Sequence, residues 1–253
     1  MKTSTHLILL LMAALAWTVA GCDNTGNIVF GDDDDASGDD DDDDTGDDDT
    51  GDDDTGGGCP DAAVEFDFED GDGGFGHQSS DGGFADPWEL GTPVDADCTS
   101  GATCWATRLE GEYDNCEAGE LVSPIMDLSG CDGSTVQLVF MHLFRFEEGQ
   151  QANYDGGAVQ MSTDGGDHWV DVEPDPPYTG FIDGNYSECP GSPQIDGHQG
   201  WSNVIPGNNW DKVSVEVGSE YFTDSFRFRF LFGSDRGVTE EGWYLDDIQI
   251  VVE

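Results

Sequence analysis

The chain has 253 residues and a formal net charge of −49, with 56 Asp and Glu against 7 Lys and Arg. Phosphate contacts need lysine and arginine, so nucleic acid is excluded as a natural partner. What this charge favours is divalent cations, cationic surfaces, or simple solubility in salty water, and solubility accounts for most of the carboxylates.

Lys2 supplies a short positive start, and Leu7 to Ala20 is an apolar run broken only by Thr18. The run is too short to span a bilayer as a mature helix and has the build of a secretory leader. It ends in Val19-Ala20-Gly21-Cys22, which resembles the bacterial lipobox. The resemblance implies cleavage before Cys22, acyl chains on that cysteine, and a stable hold on the membrane. Residues 1–21 are then a lipoprotein signal peptide, and the protein belongs to the cell envelope, facing the surface or the periplasm.

Residues 22–58 form a linker that from Gly31 to Gly58 is almost only Asp, Gly and Thr, with Asp32–Asp35, Asp39–Asp44 and two Thr-Gly-Asp-Asp-Asp units. This composition buries little and repels itself, so it predicts a disordered, stretched linker reaching at most about 120 Å. It lacks the alternating carboxylates, glycine and closing Glu of an EF-hand loop, which favours a spacer over a calcium store.

Residues 59–253 are sized for one domain and carry thirty-nine acids against Lys212 and five arginines. Six cysteines remain once Cys22 is set apart: Cys59, Cys98, Cys104, Cys116, Cys131 and Cys189. They allow three disulfides in fifteen pairings. The short loops Cys98–Cys104 and Cys116–Cys131 are preferred, leaving Cys59 with Cys189. Zinc is the alternative, but no CxxC pair is present.

Period two dominates the rest. Val64-Glu65-Phe66-Asp67-Phe68-Glu69-Asp70-Gly71 opens the domain as a strand, and Gly242–Val252 closes it. In the closing strand Asp246 and Asp247 point to opposite faces, so one of them must be paired, hydrogen-bonded or on a metal. Val136, Leu138, Phe140, His142, Phe144 and Phe146 alternate with a second, largely apolar set, which predicts a central strand. Phe226, Phe228, Phe230 and Phe232 give another strand one aromatic face and turn Arg227 and Arg229 the other way. Cys104–Leu109, Ala158–Ser162, His168–Val172 and Lys212–Val217 complete the set. Many strands, Gly/Asp turns and no helical crossovers predict an all-β, antiparallel two-sheet jelly-roll sandwich. No heptads are present, and a monomer is expected.

Ser162-Thr163-Asp164-Gly165-Gly166-Asp167-His168-Trp169 resembles the Asp-box hairpin, in which Asp ties the turn and Trp packs over it. The device is structural. A wider series runs Phe66–Gly71, Asp86-Pro87-Trp88-Glu89-Leu90-Gly91, Cys104–Thr107, Leu121-Val122-Ser123-Pro124, Tyr154-Asp155-Gly156-Gly157, Gly200-Trp201-Ser202, Phe226–Asp235 and Gly242–Ile248. It resembles the MAM-like, concanavalin-like jelly roll that accompanies immune inhibitor A-type secreted metallopeptidases and other bacterial surface proteins. The resemblance implies a structural calcium ion on Glu69, Asp86 and Asp247. It also implies a non-enzymatic module that binds extracellular glycan or protein. Trp201, Arg227 and Arg229 are candidate ligand-binding residues, with His142 or Arg145 beside the two arginines.

Catalytic patterns are sparse. None of His6, His77, His142, His168 and His198 fits His-Glu-x-x-His, which removes the metallopeptidase itself. Glu65-x-Asp67-x-Glu69 resembles the acid/nucleophile strand of laminarinase-type glycosidases, which makes a glycoside hydrolase using Glu65 and Glu69 the alternative. A structural remnant of a peptidase accessory domain is the other.

Overall fold

The computed structural model describes residues 58–60, 63–149, 152–205 and 209–253. Cys22, the leader and the acidic linker lie outside the described residues. Fourteen strands follow in chain order: β1 (Val64–Phe66), β2 (Gly76–Ser79), β3 (Glu89–Gly91), β4 (Cys104–Ala106), β5 (Ala118–Val122), β6 (Val136–Arg145), β7 (Gly156–Ser162), β8 (Val170–Asp171), β9 (Pro174–Asp175), β10 (Gly180–Phe181), β11 (Gln199–Gly200), β12 (Asp211–Val217), β13 (Arg227–Gly233) and β14 (Gly242–Val252). One 3₁₀ turn, Ser219–Tyr221, is the sole helix among them. No helix among the described residues is long and apolar enough to cross a membrane.

The strands form the expected all-β sandwich of jelly-roll type. One sheet has the order β3-β4-β14-β6-β12-β9, with β1 also on β14; the other has the order β2-β5-β13-β7-β8. All their pairings are antiparallel. The alternation places β6 as the sequence predicts, between β14 and β12, with Val136, Leu138, Phe140, His142 and Phe144 all buried. Phe226, just before β13, and Phe228, Phe230 and Phe232 on it meet that face; Phe140 and Phe230 stand edge to face at 5.0 Å. Trp243 reaches across from β14 to Phe230 at 5.7 Å. Gly157 makes room for it: a Cβ there would lie 2.3 Å from the indole.

The chain's two ends do pair, Val64 with Ile250 and Phe66 with Ile248. The opening strand is shorter than its pattern suggests. It stops at Phe66, and Phe68 turns into a positive φ of 60° that an extended run cannot hold. The closing strand carries a bulge between Asp246 and Gln249, with Asp247 at φ 46°.

Two of the three expected disulfides are corrected. Cys98–Cys104 forms, but the other bridges are Cys59–Cys131 and Cys116–Cys189. Between Cys116 and Cys131 the chain runs along the second sheet. Cys116 bonds to the backbone of Asp235 past one end of β13, while Leu128 bonds to Thr223 before the other. The seven residues of β13 separate the two ends by roughly 20 Å. A short sequence loop is therefore a long spatial one.

Candidate functional site

β13 is central in the five-stranded sheet, so its alternation sends Phe228, Phe230 and Phe232 inward, in line with Phe226 just before it, and Arg227, Arg229 and Leu231 outward. Register then decides what the arginines meet. Arg229 lies opposite Gln160 on β7 and Val122 on β5; Gln160 lies opposite Asp171 on β8, and Glu120 opposite Gln78 on β2. The side chains join into one polar row across the outer face. Gln78 Nε2 donates to Glu120 Oε1 at 2.5 Å. Arg229 donates to Glu120 Oε2 and, through Nε and Nη2, to Gln160 Oε1 at 2.9 and 2.6 Å. Gln160 Nε2 donates to Asp171 Oδ1 at 2.6 Å, and His198 Nδ1 lies 2.8 Å from Asp171 Oδ2. Arg229 is only 5% exposed, roofed by the Trp169 ring at 4.6 Å and by Gln194 Oε1 at 2.9 Å.

Trp169 is placed by the β7–β8 turn. Ser162 Oγ accepts from the Gly166 amide at 2.9 Å, Asp164 Oδ1 accepts from the His168 amide at 2.9 Å, and Gly166 turns at φ 102°. The hydrogen bond from the His168 ring holds the Asp164 carboxyl below its usual range. The result is a partly buried indole at the rim of a cleft of about 290 Å³, lined by Gln78, Glu120, Val122, Gly166, Trp169 and Arg227 among others.

Of the expected ligand residues, Arg227 lines this cleft and Arg229 anchors its floor. Trp201 does not belong to it. It is 3% exposed, packed against His142 at 4.7 Å and Tyr178 at 4.6 Å, because its backbone bridges to Gly157 in both directions and turns the ring into the core. His142 is on the inner face of the other sheet, where burial lowers its pKa to about 3, and Arg145 is engaged by Glu241 at 2.6 Å. Neither joins the arginines. The sequence alone does not single out Gln78, Glu120 and Gln160, nor the partial exposure of Trp169. Outward alternation marks Glu120 and Gln160, but only strand register unites them.

The expected cation set is not brought together. Glu69 Oε1 accepts from the amides of Ala102 and Thr103 at 2.8 and 2.7 Å. Asp247 Oδ1 accepts from Ser100 Oγ at 2.7 Å, so these two acids grip the same 98–104 loop. Asp86 lies elsewhere, its Oδ2 2.7 Å from His77 Nδ1. Asp246 is the buried member of its pair and is satisfied by the amides of Thr99, Ser100 and Asp247 at 2.8, 3.1 and 2.8 Å. Nor do Glu65, Asp67 and Glu69 form a catalytic row, since the strand ends between them and Asp67 Oδ1 accepts from the Glu69 amide at 3.3 Å.

A different trio does converge. Oxygens of Glu147, Asp155 and Asp235 lie within 4.8 Å of one another, the one such group among the described residues. These residues follow β6, precede β7 and follow β13, so both sheets contribute. Asp155 accepts from Tyr113 Oη at 2.7 Å and from the Asp235 amide at 2.6 Å. Burial, ahead of its neighbours' charges, pushes its pKa up to about 7. Burial and then Asp235 push Glu147 up as well. Glu147 Oε2 is buried with no hydrogen-bond partner. A hard divalent cation is what such an all-oxygen set could hold.

No family model matches the chain, and no curated protein is similar to it. Among solved structures, the K3 cleaved adhesin domain of Lys-gingipain from Porphyromonas gingivalis is 18% identical at a TM-score of 0.38, over 74% of this chain and 97% of that one. CBM27-1 of Caldicellulosiruptor saccharolyticus, solved with mannohexaose, is 16% identical at 0.40, over 75% and 96%. The CBM22-1 xylan-binding domain of Xyn10C from Paenibacillus barcinonensis is 10% identical at 0.32, over 70% and 92%. With every score below 0.5, the likeness says nothing about the site.

Proposed function

We propose that the protein is a non-catalytic surface module that binds a glycan chain across the outer face of the β2-β5-β13-β7-β8 sheet. The observation that carries this reading is the pairing of a partly exposed Trp169 ring with a fixed row of amide, carboxylate and guanidinium groups in one cleft. An aromatic face takes the apolar side of a sugar, and pre-oriented polar groups take its hydroxyls. Glu120 is committed to Arg229 and Gln78, which makes it an acceptor and not a proton shuttle. The module sits on the cell envelope through lipid on Cys22. This anchoring half rests on the lipobox alone. The structural calcium of the same reading moves from Glu69, Asp86 and Asp247 to Glu147, Asp155 and Asp235, supported by the orphaned Glu147 oxygen.

Glycan-array binding by the full chain tests the reading. Binding is expected to one or a few glycan classes, and Trp169→Ala is expected to abolish it without unfolding the domain. Silence across a broad array, or a Trp169→Ala variant that binds like the parent, would sink it.

A further inference from the structure

The chain is strongly anionic, and its arginines are used accordingly. Arg108 holds Glu117 at 2.6 Å and Asp114 at 2.7 Å; Arg145 holds Glu241 at 2.6 Å; Arg229 holds Glu120; Arg236 holds Glu188 at 2.8 Å. Arg227 is the exception among the five. No carboxylate lies within ion-pair distance of it among the described residues. Two backbone carbonyls fix it instead: Nε donates to Ser123 O at 2.7 Å and Nη1 donates to Gly165 O at 3.3 Å. Its Nη2 has no partner among the described residues. The one arginine kept from carboxylates is the one at the rim of the cleft.

Carbonyl bonds orient a guanidinium but leave its charge uncompensated. An immobilised, uncompensated cation beside an aromatic platform is a receptor for an anion on a sugar. Spacing agrees. Gly166 lies between the two groups: a Cβ there would be 3.1 Å from the Trp169 ring and 3.8 Å from Arg227 Nη1. The bare glycine keeps that gap open. The other charges in the cleft do not oppose an anion locally, because Arg229 and Gln78 already hold Glu120. The domain as a whole repels polyanions, and this limits the ligand to widely spaced charges.

We propose that the cleft selects an acidic glycan, seating a carboxylate or sulfate ester on Arg227 and the sugar ring on Trp169, with the acid groups sparse along an otherwise neutral chain. This rests on the glycan reading above. The test is an array of oligosaccharides in sets of one backbone, each made neutral, singly uronate-bearing and singly sulfated, applied to the full chain. The expected result is binding on the order of tenfold tighter for one acidic member of a set than for its neutral form, since a charge-assisted hydrogen bond is worth about that much. The two acidic arms tell carboxylate from sulfate. Arg227→Met is expected to lose the preference, the ratio of acidic to neutral binding falling to about one whatever its effect on overall affinity; Arg227→Lys keeps part of it. Should the Met variant fail to fold, salt decides: the preference of the parent protein shrinks as ionic strength rises. Equal binding of neutral and acidic members overturns the acidic selectivity and leaves the glycan reading standing. Binding to no member overturns both.

Discussion

Two tryptophans separate what a residue is from where it sits. Trp169 and Trp201 both follow turn-rich sequence; Trp169 reads as the packer of its turn and Trp201 as the candidate sugar platform. Trp201 is drawn inward by its paired backbone bonds to Gly157, while Trp169 is held at the rim by a hairpin turn. Their substitutions should therefore behave oppositely. Trp201→Ala is expected to cost about 3–5 kcal/mol in denaturant unfolding, the range for emptying a core site of an indole. Trp169→Ala should cost far less and act on ligand. His142 makes a second residue-scale point. Its Nδ1 is buried without a partner, and burial depresses its pKa to about 3. The depressed base contributes stability that is present above its unfolded pKa of about 6.5 and is lost as pH falls from there towards 3. His142→Phe is expected to flatten that acid limb of the stability curve and to add about 1 kcal/mol at neutral pH by removing an unsatisfied group. A steeper limb in the variant would refute the assignment.

At the scale of elements, alternation was legible and register was not. The inward Phe series on β13 and the two-faced apolar pattern of β6 are written in the residues themselves. Which outward groups meet depends on the pairing of β13 with β7 and β5, which the residues of no single strand encode. The same gap explains why the expected ligand set does not assemble. The family resemblance assigns Glu69 and Asp247 to one cation with Asp86; the two do grip one loop, but their partners are amides and a hydroxyl. Asp246→Ala, which strips acceptors from three amides, is expected to lower stability by about 3 kcal/mol and to speed hydrogen exchange at Thr99 and Ser100. The trio at the ends of β6, β7 and β13 was unreadable in advance because its members are eight and eighty residues apart. A ligand bound only by the folded state raises the unfolding midpoint. Melting in calcium is expected to exceed melting in chelator, with the difference lost in Asp235→Asn; identical midpoints in the parent protein would rule the ion out.

For the whole molecule, sandwich class follows from composition and period, while the full set of fourteen strands and the disulfide connectivity do not. Two bridges close overlapping loops with sequence separations of 72 and 73. In the chain-entropy view each contributes about 4 kcal/mol by restricting the unfolded chain. Reduction is therefore expected to lower the denaturant midpoint sharply, and Cys98→Ser with Cys104→Ser, which opens a separation of only 6, much less.

The Cys59–Cys131 bridge has a mechanical consequence. β1 is three residues long and lies on the flank of β14, a strand that a tug from the N-terminal side would peel first. Tension arriving at Cys59 instead crosses sulfur to Cys131 and bypasses β1 altogether. In a single-molecule pulling experiment, rupture of the oxidised protein should release none of the chain between residues 59 and 131. After reduction the same segment should come free, beginning with β1 at low force.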